Sequence, residues 1–396
     1  MTDYRQTEEK YGSSSFQKFP LTLVRGSGAL VWDDQGKEYT DFMAGYGVAI
    51  IGHSNPKVVE AIARQAAALI TCHGSFYNDA RSEFLEKLIS ASPKGLERAL
   101  LTNSGTESVE AAIKLARRYT GRVKVVSMKG GFHGKTYGAL SATWNKKYRE
   151  PFAPLLPGFE FADYGDLASL EKLVTPETAA VIAEPIQGES GIIVPSREYF
   201  KGVREICDGA GALLILDEIQ TGLGRTGRMW ASEHWGVIPD IMTIAKGVGG
   251  GVPLGAVVTR ADVVSSLLRG EHTSTFAGNP LACAAGIATL DFIREGGLPD
   301  QAARKGTILA EGLGEIAKEY KVVREVRGLG MMLALELRVD IQRLLGQALS
   351  EGLILAYSGR NTVRLLPPIV TTDDQLRQGL AVLESAVAKE ERIRIG

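Results

Sequence analysis

The stretch "IMTIAKGVGGGVPLG" sets Lys246 at the end of a short apolar run, just before a glycine-rich turn. An amine held among apolar side chains loses solvation, so its pKa falls and it becomes a nucleophile. Earlier, "LLILDEIQTG" closes a similar run with two carboxylates, Asp217 and Glu218. Strand side chains alternate between faces, so one of the two faces a ligand while the other does not. Open α/β sheets bind ligands at that edge. A solvated strand end is the bland alternative for Asp217, and a surface lysine at a turn for Lys246. Their placement on successive strand ends points instead to a carboxylate and an amine flanking one cofactor.

A phosphate site is suggested by "LLTNSGTESVEAAIK". A strand ends at Thr102, and Asn103, Ser104, Gly105 and Thr106 lead into a helix. Backbone N–H groups at a helix start point at an anion, and the hydroxyls add donors. Taken alone, a plain N-cap by Ser104 or Thr106, with Glu107 or Glu110 in the first turn, accounts for the same residues. Two other glycine-rich stretches are decoys. "MKGGFHGKTYG" ends in Gly134-Lys135-Thr136, but a nucleotide P-loop requires glycine where Lys129 stands. "GLGRTG", Gly222 to Gly227, matches a dinucleotide fingerprint, yet polar residues separate it from the preceding strand and no clean helix follows.

These residues need a scaffold, and the chain supplies one. Its 396 residues exceed one compact core. Hydrophobic residues are 44% and charged residues 23%, ordinary for a globular protein. A net charge of −1 gives no global field for nucleic acid or an anionic membrane. Cys72, Cys207 and Cys283 are far apart and form no metal or disulfide pattern, so no metal is expected. The polar start carries no cleavable signal, and no run is long enough to span a bilayer. The expectation is a reduced, cytoplasmic, soluble protein.

Residues 21–43 alternate apolar and polar types as a small antiparallel unit. From about 50 to 295, helices such as "PKVVEAIARQAAAL" and "TESVEAAIKLARRY" alternate with short apolar strands: "ALLT", "VKVV", "AAVIAE", "ALLILDE", "IMTIA" and "GAVVT". That order predicts an α/β fold with a mostly parallel sheet covered on both faces. After a helical stretch at 298–320, the rest reads as a small α+β unit. The expected division is an N-terminal segment 1–50 joining the small domain, a large domain 51–295 and a C-terminal small domain 296–396.

Seven segments, in order, resemble the class III aminotransferases that use pyridoxal phosphate (PLP) on the fold-type-I scaffold: "NSGTESVEAAIKLARR", "GGFHGKT", "AAVIAEPIQGESG", "LLILDEIQTGLGRTG", "IAKGVGGGVPLGA", "STFAGNPLA" and "TVRLLPPIV". Within that family the chain is similar to the acetylornithine branch, and especially to aminotransferases acting on a carrier-protein-linked lysine or ornithine intermediate. The resemblance implies that Lys246 binds the cofactor aldehyde covalently and Asp217 pairs with its ring nitrogen. Ser104, Gly105 and Thr106 would hold the phosphate, with Thr275 reaching it from the neighbouring subunit of a homodimer. Phe132 would cover the ring and Gln220 would bond its hydroxyl. Glu218 and Ile219 would complete the cofactor side.

For substrates, the resemblance implies that Glu189 masks Arg364 until glutamate or 2-oxoglutarate needs it. Glu184, Tyr46 and Ser274 are further substrate-side candidates. Lys135 stands where the family has arginine; lysine is a point charge and cannot form the two-pronged arginine fork. The implied reaction passes an amino group between glutamate and the terminal aldehyde of an N-blocked semialdehyde, since a free amino semialdehyde would cyclise. The blocking group would be acetyl or the end of a small acidic carrier protein, for which Lys146, Lys147 and Arg149 form a candidate docking patch. The rival expectations are an ω-amino-acid aminotransferase or aminomutase on the same fold, a non-catalytic PLP-binding regulator, and a nicotinamide-dependent dehydrogenase using "GLGRTG".

Overall fold

The computed structural model describes residues 3–395. Its centre is a seven-stranded sheet in the order Arg98–Thr102, Gly255–Thr259, Ile241–Ile244, Leu213–Asp217, Thr178–Ala183, Lys124–Met128, Phe159–Ala162. All pairings are parallel except those of Gly255–Thr259, which runs antiparallel to both neighbours. The strands Thr178–Ala183, Leu213–Asp217, Ile241–Ile244 and Gly255–Thr259 are buried along their whole length. Helices therefore cover both faces, and this explains why the runs read as continuously apolar. The expected α/β class with a mostly parallel sheet is what forms. The edge strand Phe159–Ala162 was not expected, because its alternating, only partly buried "FEFA" has no doubly buried run to mark it.

One helix matters most for the site. Gly105–Thr120 starts behind Ser104, whose side chain accepts from the Glu107 N–H, and stops at Gly121 in the left-handed region (φ 68°). It buries seven side chains, Val109 and Leu115 among them, under the sheet. Its N-terminus is thereby fixed at the carboxyl edge of the strands.

A second, four-stranded antiparallel sheet is built from Val323–Leu329, Met332–Leu337, Thr362–Leu365 and Ala356–Ser358. The N-terminal strands Leu23–Ser27, Leu30–Asp33 and Glu38–Asp41 form a third sheet. Leu353–Ile354 joins that sheet in parallel, with Leu353 opposite Thr40. One C-terminal stretch thus serves two sheets and ties the chain ends together. Among the described residues no helix is long and apolar enough to cross a membrane, and no cluster of His, Cys, Asp or Glu could hold a metal.

Candidate active site

The carboxyl ends of the central strands converge on a cavity of about 230 Å³. Lys246 enters it just beyond Ile241–Ile244, in the left-handed backbone region (φ 47°). That conformation costs a non-glycine residue about 1–3 kcal/mol and must be held by its surroundings. Here the turn is closed by Val248 N–H donating to Ala245 O and Gly250 N–H to Gly247 O. Gly247 packs so closely on Ile50 that a Cβ would sit 2.7 Å from its Cγ2. Burial pulls the Lys246 ammonium down to about 8.

Asp217 stands on the adjacent strand, opposite Thr243 in register. Its Oδ1 accepts from Thr243 Oγ1 and from the Ile219 N–H, both at 3.2 Å. Its Oδ2 lies 2.7 Å from His133 Nδ1. Burial alone disfavours the charged form of His133. The hydrogen bond and charge of Asp217 outweigh it and raise the His133 pKa above the ordinary value. Glu218 projects to the other face, as the alternation of strand side chains requires. It does not line the cavity. Its carboxylate accepts from Thr221 Oγ1 and the Ser232 N–H, and burial pushes it up to about 7.

At the other end lie Gly105 and Thr106, the first two residues of their helix, so their N–H groups have no intrahelical acceptor. Ser104 is spent on the cap and does not line the cavity. Gly105 sits against Ile219, whose Cδ1 would be 2.9 Å from an added Cβ. Thr106 Oγ1 is 2.7 Å from Thr136 Oγ1, which donates in turn to Glu110.

Phe132 forms a wall, held by Glu184: Oε1 accepts from the Phe132 N–H at 2.9 Å and Oε2 from the Gly188 N–H at 3.0 Å. Burial raises the Glu184 carboxyl to about 7. Gln220 lines the cavity too; its Nε2 donates to Tyr46 O, and its buried Oε1 has no partner among the described residues. Glu189 lines the cavity, and its Oε1 pairs with Arg364 Nη1 at 3.0 Å; Arg364 and Tyr46 lie behind it and do not line the cavity themselves. The Arg364 guanidinium lies 5.2 Å from the centroid of the Tyr46 ring.

Some expected residues lie elsewhere in the single chain. Lys135 is exposed, with Nζ 4.9 Å from the Tyr148 ring centroid, outside the cavity. Ser274 accepts from Asn103 Nδ2 at 3.1 Å, and Thr275 is exposed; neither lines the cavity. Of the basic trio, Lys146 and Lys147 are exposed, but Arg149 is folded back with its guanidinium 4.6 Å from the Phe161 ring centroid. His133 is the residue that sequence reasoning missed. Its only signal was a histidine between glycines beside Phe132, with nothing to link it to Asp217.

The family model of the class III aminotransferases matches residues 11–387. The chain belongs to the class III aminotransferase family. It is 46% identical to an acetylornithine aminotransferase of Methanopyrus kandleri, over 97% of this chain and 99% of the relative. It is 45% identical to a LysW-aminoadipate semialdehyde transaminase of Deinococcus radiodurans, over 97% and 91%. The ornithine aminotransferase of Toxoplasma gondii, solved with partial occupancy of PLP at its active site, superposes with a TM-score of 0.96 at 34% identity, covering 100% of this chain and 95% of that one.

PLP fits the cavity of this class III aminotransferase on its own donor set. An amine lowered to about 8 is available for an aldehyde. A buried carboxylate backed by histidine suits a ring nitrogen. The helix start at Gly105 and Thr106 suits a phosphate. The unpartnered Gln220 Oε1 can accept from a ring hydroxyl.

Proposed function

We propose that this class III aminotransferase moves an amino group between glutamate or 2-oxoglutarate and the terminal amine or aldehyde of an N-blocked lysine or ornithine. The observation that carries the reading is the Glu189–Arg364 pair, whose Glu189 lines the same cavity as Lys246 and Asp217. A diamino substrate needs no second carboxylate site there, whereas glutamate does, and a maskable arginine serves both. The relatives' names support an N-blocked substrate, with acetyl or a carrier protein as the block.

PLP, when bound, supplies an aldehyde that accepts the amine and a ring that takes up the electrons of the breaking C–H bond. Lys246 would hold that aldehyde, and its Nζ would serve as the base for the proton on the substrate carbon that bears the amine. Asp217, oriented by His133, Thr243 and the Ile219 N–H, holds the ring nitrogen. Gly105 and Thr106 hold the phosphate. Phe132, fixed through its N–H by Glu184, covers the ring and excludes water. In our reading the enzyme is a homodimer in which the exposed Thr275 adds to the partner's phosphate site and Ser274 to its substrate side. For a carrier-linked substrate, Lys146 and Lys147 remain as the exposed cations that would meet an acidic carrier.

Steady-state kinetics on N-acetylornithine and on a carrier-linked substrate, side by side, test the reading. The purified protein should be yellow, and borohydride should fix the cofactor to Lys246. A colourless protein that takes no amino group from glutamate sinks it.

A further inference from the structure

Beyond the cofactor cavity lies a second chamber of about 380 Å³, and the two share Phe132 and Glu189 as a common wall. Trp144, Lys146 and Tyr148 line its other sides. The aromatic walls are braced: Trp144 meets Phe161 edge-on at 5.1 Å, and Tyr148 meets Phe132 edge-on at 6.0 Å. Lys146 is the one cation lining the chamber, and it has no carboxylate partner among the described residues. Glu189 is the one carboxylate, and it is already paired with Arg364. Lys135 stands behind Tyr148, 4.9 Å from its ring centroid, and adds positive charge without lining either chamber.

A chamber with an unpaired cation and aromatic walls, set against the cavity that holds the reacting amine, selects one kind of ligand end. We infer that it is the subsite for the far end of the amine substrate: Lys146 Nζ pairs with the α-carboxylate, and Trp144 and Tyr148 pack the N-acyl amide. This rests on the function proposed above and extends it to the recognition of the blocked end. The same chamber disfavours an unblocked diamino acid. A free α-ammonium would lie beside Lys146 with no unpaired carboxylate to receive it, whereas acylation removes that charge and adds apolar surface for the rings. The carboxylate contact falls to Lys146 because neither Lys147 nor Arg149 lines the chamber, and Arg149 is stacked on Phe161.

The test compares N-acetylornithine with its α-carboxamide in the wild-type holoenzyme, in Lys146→Gln and in Lys146→Arg. The wild type and Lys146→Arg should prefer the carboxylate. Lys146→Gln should lose about tenfold in kcat/KM for the carboxylate, mostly through KM, and little for the carboxamide, so that the preference collapses. A Lys146→Gln enzyme that keeps the wild-type preference overturns the subsite and leaves the proposed function standing. A wild type that takes the amino group of glutamate yet accepts no N-acylated diamine overturns both.

Discussion

His133 Nδ1 lies 2.7 Å from Asp217 Oδ2, with both side chains buried and the two residues 84 positions apart in the chain. The contact fixes the carboxylate that faces the cofactor cavity. It also joins the loop after Lys124–Met128 to the strand Leu213–Asp217. One hydrogen bond thus links the wall that carries Phe132 to the carboxylate that we propose holds a ring nitrogen.

Removing His133 should therefore be costly and pH-dependent. Truncating one partner of a buried pair costs about 3–5 kcal/mol. Because the folded state raises the His133 pKa, its charged form favours folding. That contribution is complete below the unfolded value of about 6.5 and is lost as the pH rises through the higher folded value. Thermal unfolding of wild type and His133→Ala should differ most under mildly acidic conditions and converge on the alkaline side. A gap that does not change with pH would show that the pair contributes through packing alone.

Lys246 titrates in the opposite sense. Burial lowers its ammonium from 10.5 to about 8. At pH 8 about half of it is neutral, against well under 1% of an ordinary lysine. Covalent PLP uptake by the apoenzyme should speed up as the pH rises to about 8 and then level off. Lys246→Ala should show no borohydride-fixed cofactor at any pH. Uptake that keeps accelerating toward pH 10 would mean the amine is not desolvated.

Gly134 is required by both its backbone and its neighbour. Its φ is 132°, and an added Cβ would lie 2.3 Å from Thr106 Oγ1 and 3.0 Å from Ala139 Cβ. Gly134→Ala should displace Thr106 from the helix start. Overpacking of this kind costs about 1–3 kcal/mol, which corresponds to about a five- to 150-fold loss of PLP affinity if the strain falls on the phosphate site. Equilibrium dialysis measures it. An unchanged dissociation constant would remove Thr106 from the cofactor site.

What the sequence disclosed follows from how local each signal was. Lys246 and Asp217 were legible because each ends an apolar run, and strand ends in such sheets meet at one edge. Ser104, Gly105 and Thr106 were ambiguous, since a cap and a phosphate site use the same residues; the structure separates Ser104, which caps, from Gly105 and Thr106, which line the cavity. His133 was invisible because its partner is distant in sequence and no periodicity ties the two. Lys135 was expected to face the substrate by its position in a motif, but side-chain direction is a tertiary property, and it turns to Tyr148. The edge strand Phe159–Ala162 was missed because half-exposed strands carry no buried run.

The Glu189–Arg364 pair makes the last prediction. Arg364 is fully buried; Nε donates to Tyr357 O at 3.1 Å and Nη1 to Gly188 O at 3.0 Å, while Nη2 has no partner among the described residues. Backbone carbonyls therefore hold the guanidinium in place without Glu189, which is about one-third exposed. Glu189→Gln keeps the side-chain shape but removes the charge that neutralises Arg364. A desolvated cation left unneutralised behind the cavity wall should bind a carboxylate more tightly, so KM for glutamate should fall by about tenfold, the scale of one charged hydrogen bond. The N-blocked amine brings no carboxylate to that end, and its kcat/KM should drop by a similar factor as an uncompensated cation meets its amine. Opposite shifts for the two substrates of one enzyme are the signature of a mask. Equal losses for both would make Glu189 a strut that only positions the loop from Gly188 to Gly191.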